Sequence, residues 1–160
     1  MKFLKNIFLV IITVFSTIMP IAVNGNVDFK TVEANAENIE QVAVIVNLDN
    51  PSNQLSAKEI SDIYLGRRRS FPDGSKVVVL ERDSNCKLRE IFFRLLNGMT
   101  LKRLNAYWAR LQFSGAVQPP IQFDDSSSVV DVVRTNPHAI GYINAQSVDE
   151  SVKVVLMLRQ

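Results

Sequence analysis

Residues 76–98, KVVVLERDSNCKLREIFFRLLNG, hold the pattern that decides the fold class. The β-branched run at residues 76–81 predicts a buried strand, because such side chains fit a pleated surface. The residues that follow have helical spacing, and their apolar stripe comprises Leu88, Ile91, Phe92 and Leu95. Asp83 or Ser84 is expected to cap this helix, and Gly98 is expected to end it. A strand that leads into an amphipathic helix is typical of an α/β layer.

Strands and helices alternate on both sides of this unit. Residues 41–47 (QVAVIVN) predict another buried strand. Ser56 and Glu59 form a capping box, so a helix is expected to begin here and to end at Gly66. Toward the carboxyl terminus the pattern predicts a helix capped by Thr100, a short strand at residues 121–123, a helix that starts at Asp125 or Ser126, and strands at residues 139–143 and 152–158. The predicted fold class is α/β, with a mixed sheet flanked by helices.

The composition limits the chain to one modest domain. Its 160 residues are 47% hydrophobic and 21% charged, which is ordinary for a globular protein and argues against wholesale disorder. Cys86 is the only cysteine, so an intramolecular disulfide and a multi-cysteine metal site are excluded. Residues 41–160 are expected to form this domain.

Residues 1–25 have the features of a secretory signal peptide. Lys2 and Lys5 give a positive start, and residues 7–23 are free of charge and almost wholly apolar. We predict cleavage after residue 25, although a better A-x-A pattern ends at Ala36, far beyond the apolar run. The alternative is an uncleaved membrane anchor, since 17 apolar residues are at the short limit for spanning a bilayer.

Cleavage changes the charge of the chain. The whole sequence has 18 Lys+Arg against 16 Asp+Glu, but residues 1–25 hold two lysines and no acid, so 16 of each sign remain. A neutral chain offers no overall attraction for nucleic acid, and we expect no nucleic-acid partner. The predicted location is the periplasm or the medium. Residues 26–40 are polar and acidic and are predicted to form a flexible extension before the domain.

Three stretches carry a resemblance to a known family. LSAKEISDIYLGR at residues 55–67 is similar to the family's helix L-S-x-x-x-x-x-x-I-F-x-G-K, and PHAIGYI at residues 137–143 is similar to its segment P-G-A-I-G-Y. VVLERD at residues 78–83, with Phe92 ten positions after Arg82, resembles its strand leading into an anion-binding helix. In order and spacing the chain therefore resembles the phosphate-type substrate-binding proteins of ABC transporters, within the periplasmic binding protein type II superfamily.

The resemblance covers one lobe only. Proteins of this family have two lobes that close on a ligand, whereas the match here runs from residue 42 to about residue 155 and corresponds to the second lobe. Trp108, the FSG at residues 113–115 and the two prolines at residues 119–120 are similar to short, single-domain members of the superfamily. The resemblance therefore implies a single periplasmic-binding-protein-like lobe.

The resemblance also implies an oxyanion site at the start of the helix that follows Arg82. In the family an arginine precedes Ser-Gly-Thr at this helix start, and Arg82 matches the arginine. The Ser-Gly-Thr positions fall on Cys86, Lys87 and Leu88. Two hydroxyls and a glycine are thus replaced, so the resemblance carries over only Arg82. Ser84 and Asn85 are candidates for alternative polar contacts, and Lys87 or Arg89 is a candidate for the charged contact.

Anion binding at a helix start has a physical cause. The first N–H groups of a helix lack partners and lie at the positive end of its dipole, and an arginine adds a bidentate donor. Ser126 and Ser127, at another predicted helix start, form a second candidate contact. The competing interpretation for both places is a capped helix with solvated neighbours. The candidate ligand-binding residues are Arg82, Ser84, Asn85, Cys86, Lys87, Ser126 and Ser127.

Two functions follow from the sequence. The first is an exported substrate-binding-protein-like module that binds phosphate or a similar oxyanion for an ABC transporter or sensor. The alternative is a lone lobe reused for protein interaction, with an ABC permease, a periplasmic protein or a second copy (a homodimer) as partner, because a missing lobe leaves the former cleft exposed. We expect no enzyme, metal or cofactor: His138 is the only histidine, and no G-x-S-x-G elbow occurs.

Overall fold

The computed structural model alternates strands and helices in the predicted order. Its elements are β1 (Gln41–Asn47), α1 (Ala57–Tyr64), β2 (Val78–Arg82), α2 (Lys87–Asn97), α3 (Leu101–Phe113), β3 (Ile121–Phe123), α4 (Ser126–Thr135), β4 (Ala139–Asn144) and β5 (Val152–Arg159). The structure describes residues 40–84, 86–115 and 119–160, which belong to one compact unit. The predicted signal peptide (residues 1–25), the predicted extension up to residue 39, and Asn85 lie outside the described residues. No helix in the described part is long and apolar enough to cross a membrane.

Five strands form one mixed sheet in the order β3-β2-β4-β1-β5. β2 runs parallel to both of its neighbours, β3 and β4. β1 lies inside the sheet and runs antiparallel to β4 and β5. Parallel strands need crossover connections, which α2 and α3 provide from β2 to β3, and α4 provides from β3 across β2 to β4. The predicted fold class, α/β with a mixed sheet flanked by helices, is confirmed.

Side-chain alternation in β1 divides the core into two layers. Val42, Val44 and Val46 contribute to the larger cluster, which lies under α1, α2 and α3. Ala43 and Ile45 contribute to the smaller cluster under α4. Successive residues of a strand point to opposite faces, so a strand covered on both faces needs an unbroken apolar run. The sheet is therefore a middle layer between helices on both sides.

Helix ends follow the predicted capping chemistry in most places. The Glu59 N–H donates to the Ser56 hydroxyl (3.2 Å), and the Ser56 N–H donates to the Glu59 carboxylate (2.9 Å), which is the predicted capping box. The Thr100 hydroxyl caps α3. Gly98 ends α2 at φ 70°, a left-handed conformation that glycine adopts without steric cost.

The start of α2 differs from the prediction. Neither Asp83 nor Ser84 caps this helix, because α2 begins later, at Lys87. The intervening residues form a turn in which the Cys86 N–H donates to the Asp83 carbonyl (3.0 Å). Cys86 occupies the cap position and makes no side-chain capping hydrogen bond. The β2 strand begins at Val78, two residues later than predicted, and ends at Arg82, one residue later than predicted.

Four aromatic side chains join the sheet to the helices of the larger layer. The rings of Phe92 and Tyr142 are stacked, with centroids 3.8 Å apart, and Tyr64 and Phe93 pack edge-on beside them. The Tyr142 hydroxyl accepts a hydrogen bond from the Arg82 N–H (3.2 Å). Burial raises the pKa of Tyr142 well above its usual value, so this hydroxyl stays protonated. The cluster thus positions the last residue of β2.

Candidate functional site

The segments that follow β2 and β3 lead to opposite faces of the sheet. α2 follows β2 and packs in the larger layer, whereas α4 follows β3 and packs in the smaller layer. Because β2 and β3 are parallel neighbours, their following loops diverge, and such a switch point leaves a crevice where open α/β sheets bind ligands. The Asp83 N–H donates to the Phe123 carbonyl (3.0 Å), which holds the two strand ends together.

Arg82 ends β2 at this switch point and is 7% exposed. Its Nη1 atom donates to the Ser126 hydroxyl (2.7 Å), and its Nη2 atom donates to the Asp124 carbonyl (2.6 Å). Its Nε atom is buried and has no hydrogen-bond partner within the part that the structure describes. The structure therefore brings together two predicted site residues, Arg82 and Ser126.

The Arg82 side chain faces α4, not the start of α2. The preceding residue, Glu81, points to the α2 side, where it binds Arg89. Adjacent residues of a strand point to opposite faces, so Arg82 must point to the α4 side with Leu80. The sequence resemblance linked Arg82 with the α2 start through chain order alone, and strand alternation separates their side chains.

The candidate residues at the α2 start make local contacts. The exposed Ser84 hydroxyl donates weakly to the Asp83 carboxylate (3.5 Å). The Lys87 ammonium pairs with Glu90 (2.9 Å), one turn along the same helix. Cys86 is partly exposed and is a free thiol. These residues line the α2 start without a hydrogen bond to the Arg82 guanidinium in the described residues.

An ionised carboxylate occupies the start of α4. Asp125 caps the helix, and its carboxylate accepts from the Ser127 hydroxyl (2.6 Å), the Ser128 N–H (2.7 Å) and the Ser128 hydroxyl (3.0 Å). The Ser127 hydroxyl, followed by the two Ser128 donors and the nearby Arg82 charge, lowers the pKa of Asp125 to about 2. Ser127 therefore serves the cap, and a bound anion here would meet the Asp125 charge.

Asp125 gives the fold an acid-dependent contribution that Asp125→Asn should remove. A carboxyl whose folded pKa is about 2, against an ordinary 3.8, stabilises the fold above about pH 4, and this contribution is lost as the pH falls toward 2. Asparagine keeps a capping oxygen but has no charge. Urea unfolding should therefore show the variant less stable than the original chain at pH 5, with a difference that shrinks by pH 2.

Asp131→Asn is the matched control for this prediction, because Asp131 lies on the same helix and pairs with Arg134 at the surface. We expect its stability difference to change little across the same pH range. A constant difference between Asp125→Asn and the original chain from pH 5 to pH 2 would contradict the assigned role.

A buried ion pair beside the site was not predicted. The Arg89 Nε atom donates to the Glu81 carboxylate (2.6 Å), and their side chains are 3% and 1% exposed. The Arg89 Nη1 atom also donates to Asn105 (3.2 Å). Burial raises the pKa of Glu81, while the Arg89 charge opposes this rise. Arg89 is thus paired with Glu81 and offers no charge to a ligand, contrary to the prediction. The sequence signal for this pair was strand alternation, which places the Glu81 side chain on the face of the sheet that α2 covers.

Metal ligation has no support in the described residues, where no group of three or more His, Cys, Asp or Glu side chains could hold an ion. His138 is exposed in the turn before β4, and its N–H donates to the Asn136 side chain (3.0 Å).

Comparison with known proteins supports the fold. No model of a known protein family matches the sequence, and no curated protein matches it. Among solved structures, a protein from Clostridium perfringens, described as a phosphate ABC transporter substrate-binding protein with bound phosphate, is similar with a TM-score of 0.58 and 24% identity. The match covers 73% of this chain and 45% of that protein.

Two further structures agree. An ABC-type phosphate transport receptor from Vibrio cholerae has a TM-score of 0.57 and 23% identity over 73% of this chain and 46% of its own. PstS from Borrelia burgdorferi has a TM-score of 0.55 and 17% identity over 72% of this chain and 46% of its own. The chain thus spans less than half the length of these proteins. Its fold is that of a periplasmic binding protein-like α/β lobe.

Proposed function

We propose that this chain is a binding-protein-like module that takes a small oxyanion, such as phosphate or sulfate, at the carboxyl ends of β2 and β3. The observation that carries the proposal is Arg82, a nearly buried guanidinium at the switch point of the sheet, whose Nε–H finds no acceptor among the described residues. A buried donor without a partner is uncommon in native proteins and costs free energy, so a ligand that supplies an acceptor nearby would relieve it.

The donors available to such a ligand belong to Arg82. A guanidinium has five N–H donors, and Arg82 uses two of them on Ser126 and Asp124. The start of α2 adds no donor here, because strand alternation places the Arg82 side chain on the α4 side of the sheet. Because the Nε atom is out of solvent contact, a ligand would have to displace neighbouring side chains to reach it.

Asp125 sets the expected strength of binding. Its ionised carboxylate lies close enough to Arg82 to interact with it electrostatically, and it opposes an approaching anion. We therefore expect weak binding in the original chain, in the high micromolar to millimolar range.

Calorimetric titration with phosphate and with sulfate tests the proposal. We expect saturable binding that Arg82→Ala abolishes and that Asp125→Asn strengthens by about tenfold, the order expected when a nearby like charge is removed. Arg103→Ala is the control, since Arg103 is an exposed arginine on α3 away from the switch point. No heat and no thermal shift with either anion at millimolar concentration would refute oxyanion binding.

The wider setting is also part of the proposal. A module of this kind would act outside the cytoplasm, after removal of the predicted signal peptide, beside an ABC permease or a sensor. The support is the α/β lobe that this chain shares with proteins described as phosphate transport receptors.

A second candidate function is a protein-interaction module. The observation that favours it is that Arg82 already binds Ser126 and Asp124 within its own chain, so the site is partly satisfied without a ligand. Large apolar side chains are also exposed, with Phe113 at 96% and Ile121 at 57%. Absence of oxyanion binding together with a dimeric mass in solution would support this function instead.

A further inference from the structure

A groove of about 970 Å³ lies at the opposite end of β2 and β3 from Arg82. Its floor is Val77 and Val79, at the start of β2, and its walls are the end of α1, the last turns of α3, and the prolines before β3. Trp108 supplies an aromatic wall. We call this feature the Trp108 groove. It shares no residue with the switch-point site, so it can be tested separately.

The walls of the Trp108 groove are held by specific contacts. The Tyr107 hydroxyl donates to the Leu65 carbonyl (2.7 Å), which ties α3 to the end of α1. Trp108, the next residue, is 7% exposed and packs edge-on against the Tyr107 ring. These contacts hold α3 against the end of α1 on one side of the groove. Its volume falls within the range of about 300–1,000 Å³ that is usual for small-molecule sites.

The rim of the groove carries positive charge. Its described lining includes Arg68, Arg69 and Lys76, of which Arg68 is paired with the Glu59 carboxylate (3.5 Å). Arg69 and Lys76 lie on the two arms of a short hairpin, in which the Val77 N–H donates to the Arg69 carbonyl (3.2 Å). Phe71, in the same hairpin, is fully buried and anchors it to the core. The cationic side chains are thus placed on a well-anchored turn.

We propose that the Trp108 groove binds a small amphipathic organic anion. The apolar body of the ligand would lie on Val77, Val79 and Trp108, where burial from water is favourable. Its carboxylate or sulfonate would lie at the rim, where Lys76 is the complementary charge. An apolar floor beside a cationic rim favours a ligand that has both an apolar body and an anionic group. An inorganic anion lacks the apolar body, and a neutral lipid lacks the charge.

Trp108 is the only tryptophan in the chain, so its fluorescence reports directly on the groove. The full chain is titrated with decanoate, with 1-decanol and with inorganic phosphate. We expect decanoate to change Trp108 emission saturably and to bind about tenfold more tightly than decanol, the order of affinity that a charge-assisted contact adds. Phosphate should leave the emission unchanged, and added salt should weaken decanoate binding.

Three variants sharpen this test. Lys76→Gln should weaken decanoate binding by about threefold, as expected for one exposed charge, and Lys76→Glu should weaken it further. Arg103→Gln removes a cation from α3 outside the groove and should have no effect. Arg82→Ala should also leave decanoate binding intact, which separates this proposal from oxyanion binding at the switch point.

Two outcomes would overturn the proposal. Equal affinity for decanoate and decanol, or an unchanged affinity in both Lys76 variants, would show that the rim does not recognise an anion. No saturable change in Trp108 emission with decanoate would show that no such ligand binds against Trp108.

Discussion

Arg89→Met is expected to lower the free energy of unfolding by about 3–5 kcal/mol at pH 7, the cost of leaving a buried partner charge alone. Arg89 is the ion-pair partner of Glu81, and both side chains are almost completely buried. Methionine fills similar space but offers Glu81 no hydrogen bond and no charge. Urea unfolding followed by circular dichroism measures the loss.

The pH dependence identifies the cause. Burial already raises the pKa of Glu81 above 4.5, and loss of the Arg89 charge raises it further. A carboxyl with a raised folded pKa favours the fold below its unfolded pKa and loses that contribution as the pH rises through the folded value. Arg89→Met should therefore be much less destabilising at pH 4 than at pH 7.

Two comparisons complete this experiment. Glu81→Leu combined with Arg89→Met replaces the pair with apolar side chains and should recover most of the lost stability, because no charge remains buried. Lys87→Met breaks the exposed Lys87–Glu90 pair on the same helix and should change stability little. Equal losses for Lys87→Met and Arg89→Met would contradict the importance assigned to burial.

Gly141→Ala is expected to destabilise the protein by about 1–3 kcal/mol, the usual cost of overpacking a core. A Cβ atom at Gly141 would lie 2.5 Å from the Val129 Cγ1 atom, far inside the contact distance, and 3.5 Å from the Val133 Cγ2 atom. Gly141 is in the middle of β4, directly under α4, so the helix must move or the valine must change rotamer. Thermal and urea unfolding report the loss.

A double variant tests this steric explanation. Val129→Ala alone creates a cavity and costs stability, but it also removes the methyl group that a Cβ atom added at Gly141 would strike. The Gly141→Ala and Val129→Ala changes should therefore cost less together than the sum of their separate effects. Gly98→Ala is a control of another kind, since its added Cβ atom meets nothing within 4 Å and any loss comes from its positive φ. Additive losses at residues 129 and 141 would contradict the steric account.

Local patterns predicted most of the fold. Residues 41–47 are apolar on both faces, and the structure buries both faces of β1. The capping box at Ser56 is a short-range arrangement, so its geometry follows from four adjacent residues. These predictions succeed because the deciding interactions lie within one turn or one strand.

The site was less predictable because it depends on which face each side chain occupies. Arg82 and Ser126 are 44 residues apart and meet only because β2 and β3 are adjacent parallel strands. From the order of residues along the chain, Arg82 was predicted to lie with the start of α2. In the structure the side chain of Glu81 points to the α2 side, so that of Arg82, the next residue, points to the α4 side. The Trp108 groove could not be predicted from the sequence for a similar reason, because several separate elements contribute a few lining residues each.

The position of β1 has a consequence for how the chain acquires its structure during synthesis. β1 is made first among the described strands, yet its hydrogen-bonded neighbours are β4 and β5, with Val42 opposite Asn144 and Leu158. The sheet therefore cannot close until nearly the whole chain has left the ribosome, some seconds after β1 at about 5–20 residues per second. Such a nascent chain holds β1 without its sheet partners until late in synthesis.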